Sequence, residues 1–197
     1  MSGETVLALM TFALVASVTP GPNNFMLLTS GANFGFARTI PHMCGIAAGF
    51  GSLLLAIGFG LGALLQTWPA LHIVLKISGG LYLLFLAWKI AGSRSLDVSE
   101  TVSQPISFMQ AAAFQWVNPK AWMMGLTAMV LFADPTNQVV SVLLVTLAFV
   151  LVNFPSVSIW AGFGTLVRRF LSNPKRLRVF NTVMGLLLVA TLVPMMM

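Results

Sequence analysis

Acidic side chains are nearly absent from this chain: its 197 residues hold only Glu4, Asp97, Glu100 and Asp134, and charges of both signs make up 7% of the composition. Cysteine is rarer still. Cys44 stands alone, which excludes an intramolecular disulfide and a dithiol relay through a membrane. The two histidines, His42 and His72, lie apart near the ends of apolar runs and read as surface or interfacial groups rather than proton relays. A metal site would need convergent His, Cys, Asp or Glu ligands, and none cluster, so neither a metal nor a cofactor is expected. An intramembrane enzyme would need a Ser/His, Asp/Asp or His/Glu constellation at depth, so no catalytic residue is assigned. The first apolar run has no basic stretch ahead of it and carries Glu4 instead, which predicts an uncleaved span rather than a signal peptide.

What the chain does have is apolar length. Hydrophobic residues make up 58% and the mean hydropathy is +0.94, far from the balance of a soluble domain. Apolar runs bounded by Gly, Pro, Asn and charge predict six spans: 5–34 (interrupted), 43–65, 69–91, 106–132, 137–163 and 178–196. The connections are short, so one domain, 1–197, is expected. The formal charge of +6 does not point to nucleic acid, because the basic residues fall at span ends. With an extracytoplasmic N-terminus, one side holds Arg38, Lys89, Arg94, Arg168, Arg169, Lys175, Arg176 and Arg178, and the other holds none. The positive-inside rule then puts both termini outside.

Two spans are interrupted. Thr19-Pro20-Gly21-Pro22-Asn23-Asn24 breaks the first after residues 6–18, a helix of about 20 Å against a hydrocarbon core of roughly 30 Å. Non-helical backbone at that depth is tolerated only where protein or a water-filled cavity surrounds it. Asn118-Pro119-Lys120 breaks the fourth span at a comparable depth from the opposite face. Three spans lie on either side of the polar segment 92–105, so the halves, about 1–98 and 99–197, are expected to be inverted three-helix repeats with broken helices 1 and 4. Matching breaks in two such halves are the best sequence pointer to a transport site.

These two motifs, together with Lys76-Ile77-Ser78-Gly79-Gly80-Leu81-Tyr82-Leu83 and Leu86-Ala87-Trp88-Lys89 in span three and Ala121-Trp122 after the second break, resemble the lysine-exporter (LysE/RhtB) family of amino-acid efflux proteins. Within that family the chain resembles the cysteine/O-acetylserine exporter type. The resemblance covers essentially the whole chain. It implies a six-helix exporter of amino acids or their derivatives in a bacterial-type inner membrane, with coupling to proton motive force an inference from the family alone.

The residues themselves suggest how substrate is held. A helix restarting after a break presents free N–H groups and a positive dipole end, which suits a carboxylate. Asn118 is a favourable N-cap and Pro119 a favourable first helical residue, and Thr19-Pro20 or Gly21-Pro22 serves likewise in span one. Asn23, Asn24 and Gln115 add amide groups. Pro20, Pro22 and Pro119 free the carbonyls of Ala16, Val18 and Gln115 for an ammonium. Lys120 is an ionisable group near mid-membrane, where insertion costs about 2.5–3.5 kcal/mol, and such groups face the bundle interior. Three jobs are open to it: pairing with substrate carboxylate, exchanging a proton during the cycle as desolvation favours its neutral form, or holding helix-end carbonyls.

The expected binding set is thus Pro20, Gly21, Pro22, Asn23, Asn24, Gln115, Asn118, Pro119 and Lys120. Lys76, Tyr82, Asn153 and Pro155 are candidates for gating or coupling; Asn153-Phe154-Pro155 is either a gate bend or a packing kink. Trp116 beside the second break reads as packing or substrate recognition, and Lys89 beside Trp88 as an interfacial anchor. Gly45/Gly49 and Gly58/Gly62 are small-xxx-small faces for close helix approach. With no carboxylate assigned inside a span, a cationic side chain lacks a partner, so small neutral amino acids such as cysteine, O-acetylserine, serine or threonine fit better than lysine or arginine. The expected partners are such a substrate and the lipid bilayer; homo-oligomerisation is left open, and a passive channel for small polar solutes is the competing function.

Overall fold

The computed structural model describes residues 1–92 and 104–193, so Arg94, Asp97, Glu100, Met197 and the boundary between the expected halves lie outside the described residues, as does the side chain of His72. Nine α-helices are present and no strand occurs among the described residues. They are α1 (Gly3–Val18), α2 (Pro22–Phe34), α3 (Phe36–Ala56), α4 (Gly62–Thr67), α5 (Pro69–Ala91), α6 (Phe108–Val117), α7 (Pro119–Phe132), α8 (Gln138–Val167) and α9 (Pro174–Ala190). A π-helical turn, Ile57–Leu61, joins α3 to α4, and 3-10 turns precede and follow α8.

Among the described residues three stretches are long and apolar enough to cross a membrane: Phe36–Leu61, Ile73–Ala91 and Pro135–Ser172. The pair α1 and α2, bent by 58°, makes a fourth if taken as one span. The outward surfaces agree with lipid contact, since Leu7, Val130 and Leu166 are each at least 70% exposed, an arrangement soluble monomers avoid.

Several boundaries differ from the sequence expectation for local reasons. The second apolar segment is helical from Phe36, not from 43, because Gly35 alone makes the turn, with φ at 83°, and Pro41 sits within α3 without ending it. Gly35 fits that left-handed backbone. The earlier start places His42 on the same face as Thr39, Met43 and Ile46, all buried, as i, i+3 and i+4 spacing requires. His42 is therefore fully buried, not interfacial, and neither ring nitrogen has a hydrogen-bond partner among the described residues. The last helix starts at Pro174 rather than 178, because Asn173 caps it by accepting from the Lys175 N–H at 2.9 Å. The basic segment 168–178, expected as a loop, is thus largely helical.

Helix pairs approach through glycine. A Cβ on Gly31 of α2 would lie 2.1 Å from the Ala161 carbonyl oxygen of α8, and one on Gly164 of α8 would lie 2.1 Å from the Leu28 oxygen of α2. On the other flank, a Cβ on Gly45 or Gly49 of α3 would collide with the Phe108 or Ala112 carbonyl of α6. Backbone cannot yield as a flexible side chain does. Gly31→Val should therefore destabilise the protein by about 1–3 kcal/mol or more, read as a lower thermal midpoint in detergent. Gly162→Ala, where nothing lies within 4 Å, should leave the midpoint unchanged.

The interior is layered. Besides a small cluster of Ala32, Leu171 and Leu177, there are two larger apolar clusters: one contains Leu9, Ala13, Phe50, Leu54, Trp122, Val145 and Phe149, and the other Met26, Leu27, Met43, Ile46, Phe114, Val157 and Ala161. On α1–α2, α3, α6–α7 and α8 alike, the chain passes from one cluster to the other. Between them lie Ser17, Asn24, Gln115, Asn118 and Asn153, all buried. Buried polar groups need hydrogen-bond partners, and this layer is where both helix breaks fall.

Candidate functional site

Both breaks are built as helix restarts. At the second, the Asn118 side chain accepts from the Lys120 N–H at 3.2 Å, and Pro119 is the first residue of α7. Pro119 loses nothing there, because a first-turn N–H has no intrahelical acceptor. At the first, Gly21 rather than Thr19 is the N-cap and Pro22 opens α2. Gly21 brings no side-chain cap, so the first-turn N–H groups of Asn23 and Asn24 retain the anion-attracting character of a helix N-terminus.

The breaks touch one another. Lys120 Nζ donates to the Thr19 carbonyl, from α7 to the end of α1. Asn23 Nδ2 donates to Gln115 Oε1 at 2.8 Å while Gln115 Nε2 donates to Asn23 Oδ1 at 3.1 Å. A Cβ on Gly21 would lie 2.7 Å from Lys120 Cδ, so the lysine stem lies directly against the Gly21 backbone. Around this crossing is a cavity of about 20 Å3 lined by Ala16, Ser17, Gly21, Asn23, Asn24, Ile46, Phe50, Gln115, Asn118, Lys120, Ala121, Met124, Asn153 and Val157. That is room for about one water molecule.

The carbonyls at the breaks are not free in the way the prolines suggested. Asn24 Nδ2 reaches back to the oxygens of Ser17, Val18 and Thr19, at 3.2, 3.4 and 2.9 Å. Its role is to close the end of α1. The Gln115 oxygen accepts from the Asn118 N–H at 3.4 Å, and Trp122 Nε1 donates to the Trp116 oxygen at 2.7 Å. Side chains thus take up backbone acceptors that would be costly if left unpaired. Trp116 itself is 37% exposed, and its indole donates to Ser52 Oγ at 3.2 Å; it does not line the cavity.

Asn153 lines the cavity and donates to Ser17 Oγ at 3.2 Å, joining α8 to α1. The structure does not bring Lys76, Tyr82 or Pro155 to this cavity. Tyr82 packs its ring against Phe114 at 5.5 Å, Lys76 is half-buried on α5, and Pro155 is exposed within the continuous helix α8. Lys89 lines a second cavity of about 40 Å3 with Thr29, Ser30, Asn33, Phe34 and Gln104. Asn33 there exchanges hydrogen bonds with Asn181 at 2.9 and 3.1 Å, a pairing that local sequence pattern cannot reveal.

The two described carboxylates stay away from the crossing. Glu4 is exposed in the first turn of α1. Asp134 is exposed beyond α7, where the Thr136 hydroxyl and amide donate to it at 2.7 and 2.9 Å and hold its carboxyl below the usual carboxylate range. Among the described residues no group of three or more His, Cys, Asp or Glu side chains is placed to hold a metal.

A sequence profile described as "LysE type translocator" matches residues 14–194. The chain belongs to the LysE type translocator family. It is 32% identical over 191 residues to the "Cysteine/O-acetylserine efflux protein" of Escherichia coli strain K12, covering 96% of both chains. The protein of the same name from Shigella sonnei strain Ss046 matches to the same extent. No solved structure matches the chain. As a family translocator it is a transporter and not an enzyme.

Proposed function

We propose that this translocator exports small neutral amino acids or derivatives, with cysteine, O-acetylserine, serine and threonine as the expected substrates, by alternating access about the crossed breaks. The observation that carries this is the contact between the breaks, where a lysine, two helix starts and a ring of amides surround one small cavity. Each feature suits part of a zwitterion. The lysine and helix starts suit its carboxylate; the amide oxygens suit its ammonium. The names of the 32% identical relatives point to the same substrate class.

With room for about one water, substrate is admitted only when the breaks part, exchanging the Lys120–Thr19 and Asn23–Gln115 contacts for contacts to substrate. Helix packing supports the inverted repeat. Segment one packs on five through α2 and α8, segment four on two through α6 and α3, two on five through α3 and α8, and three on six through α5 and α9. Exchanging the halves maps this set onto itself, as a pseudo-two-fold axis in the membrane plane requires. Efflux of a panel of labelled amino acids from oriented vesicles tests the assignment: neutral small residues should leave faster with the protein than without it, and no stimulation of any of them would overturn it.

The proposed orientation follows from charge, eight basic residues on one side against none. In a background carrying Cys44→Ser, Gly3→Cys should react with an impermeant maleimide added outside cells. Ser172→Cys should react only after permeabilisation. Labelling of Ser172→Cys in intact cells would invert the topology.

A further inference from the structure

We infer that Asn153 receives the α-ammonium group of the substrate through its side-chain oxygen, making α8 the amino-recognising wall of the cavity. This rests on the reading of the cavity as the amino-acid site. Asn153 is 6% exposed, lines the cavity, and its Oδ1 is buried with no hydrogen-bond partner among the described residues. Buried side-chain acceptors are seldom left so. The other half of its amide is spent on Ser17 Oγ at 3.2 Å, which fixes the plane of the group.

In this conformation the neighbouring acceptors are engaged with one another's donors, and Asn153 Oδ1 alone among these side-chain acceptors needs no protein contact to be broken before it can accept. Thr19 O accepts from Asn24 and Lys120, Gln115 Oε1 from Asn23, Asn23 Oδ1 from Gln115, and Asn118 Oδ1 from the Lys120 N–H. An α-ammonium brings three donors and no acceptor, and a neutral amide oxygen accepts from it without demanding a fixed charge. Positive groups stand elsewhere in the lining, with Lys120 and the restarts at Gly21-Pro22 and Asn118-Pro119. A zwitterion therefore has one orientation that suits it, carboxylate toward Lys120 and ammonium toward Asn153. A carboxylate turned toward Asn153 would meet an acceptor instead of a donor.

The test compares inhibition of labelled cysteine transport in proteoliposomes by cysteine, by 3-mercaptopropionate, which lacks the amino group, and by cysteamine, which lacks the carboxylate. The unsubstituted protein should prefer cysteine over each analogue by about tenfold or more. Asn153→Leu should erase the preference over 3-mercaptopropionate and keep that over cysteamine, and Lys120→Met should do the reverse. Asn153→Asp keeps an acceptor oxygen and should keep both preferences. Ser17→Ala removes the bond to α1 but not the oxygen and should also keep both, which a merely structural role for Asn153 would not allow. Where Asn153→Leu does not accumulate, Asn153→Ala gives the same readout. Retained discrimination against 3-mercaptopropionate by the Leu and Ala variants overturns the assignment of Asn153 alone. Absence of transport of cysteine, O-acetylserine, serine and threonine alike by the unsubstituted protein overturns the reading of the cavity, and the assignment with it.

Discussion

Lys120→Met should cut export by roughly 30-fold or more while folded protein persists in the membrane. The size follows from charge. Removing one partner of a buried, hydrogen-bonded charge pair costs about 2–5 kcal/mol, and each 1.4 kcal/mol is tenfold. The fold should survive because the Thr19 carbonyl, which Lys120 holds in this conformation, also accepts from Asn24 Nδ2 at 2.9 Å. Methionine keeps the unbranched stem that lies against Gly21. A lysine serving only to hold the end of α1 would therefore be dispensable for transport, and normal export by Lys120→Met would assign it to structure.

Gly21→Ala makes a companion test, because the new methyl would collide with Lys120 Cδ and displace the amine while leaving its charge in place. Export should fall here too. Lys76→Met, on α5 and outside the cavity lining, should be much milder. The readouts are initial efflux rates normalised to membrane-extracted folded protein.

The second large effect is rejection of cationic amino acids. A lysine substrate would carry a second ammonium into a cavity whose lining offers Lys120, two helix starts and neutral amides but, among the described residues, no carboxylate. Burying an unpaired ion costs several kcal/mol even after relaxation, which corresponds to discrimination of hundreds-fold or more. Lysine and arginine should therefore fail to inhibit serine or cysteine efflux at concentrations where threonine does. Asp134 is the nearest thing to an escape from this conclusion on the α7 side, and it is exposed and occupied with Thr136. Saturable lysine efflux, lost on substitution of Asn24 or Asn118, would mean that a carboxylate reaches the cavity during the cycle.

Local chemistry made part of this architecture legible. Pro119 after Asn118, and Pro22 after Gly21, announce helix starts because a first-turn position has no N–H bond to lose. Gly45 and Gly49 announce close packing by their spacing. What stayed hidden depends on residues distant in sequence. Asn23 and Gln115 meet across 92 positions and Asn33 and Asn181 across 148, and neither pairing leaves a periodic trace.

Asn24 reads as a substrate ligand because an asparagine beside a break suits both capping and binding; its three contacts add that it caps the end of α1 while it lines the cavity. His42 reads as interfacial because the apolar run begins at 43, whereas α3 starts at Phe36 and runs through Pro41, which carries His42 into the interior. Asn153 read as part of a bend at Pro155. Yet α8 continues through Pro155, and Asn153 faces the cavity.

Counterflow in proteoliposomes tests the central claim most directly, because only a carrier with one alternately exposed site couples outward movement of one substrate to inward movement of another. Vesicles loaded with unlabelled serine should accumulate labelled cysteine transiently above equilibrium. Loading with lysine should give no such overshoot, and Lys120→Met should sharply reduce the overshoot seen with serine. Equilibration without overshoot, at a rate indifferent to the loaded amino acid, would contradict alternating access and describe a passive channel.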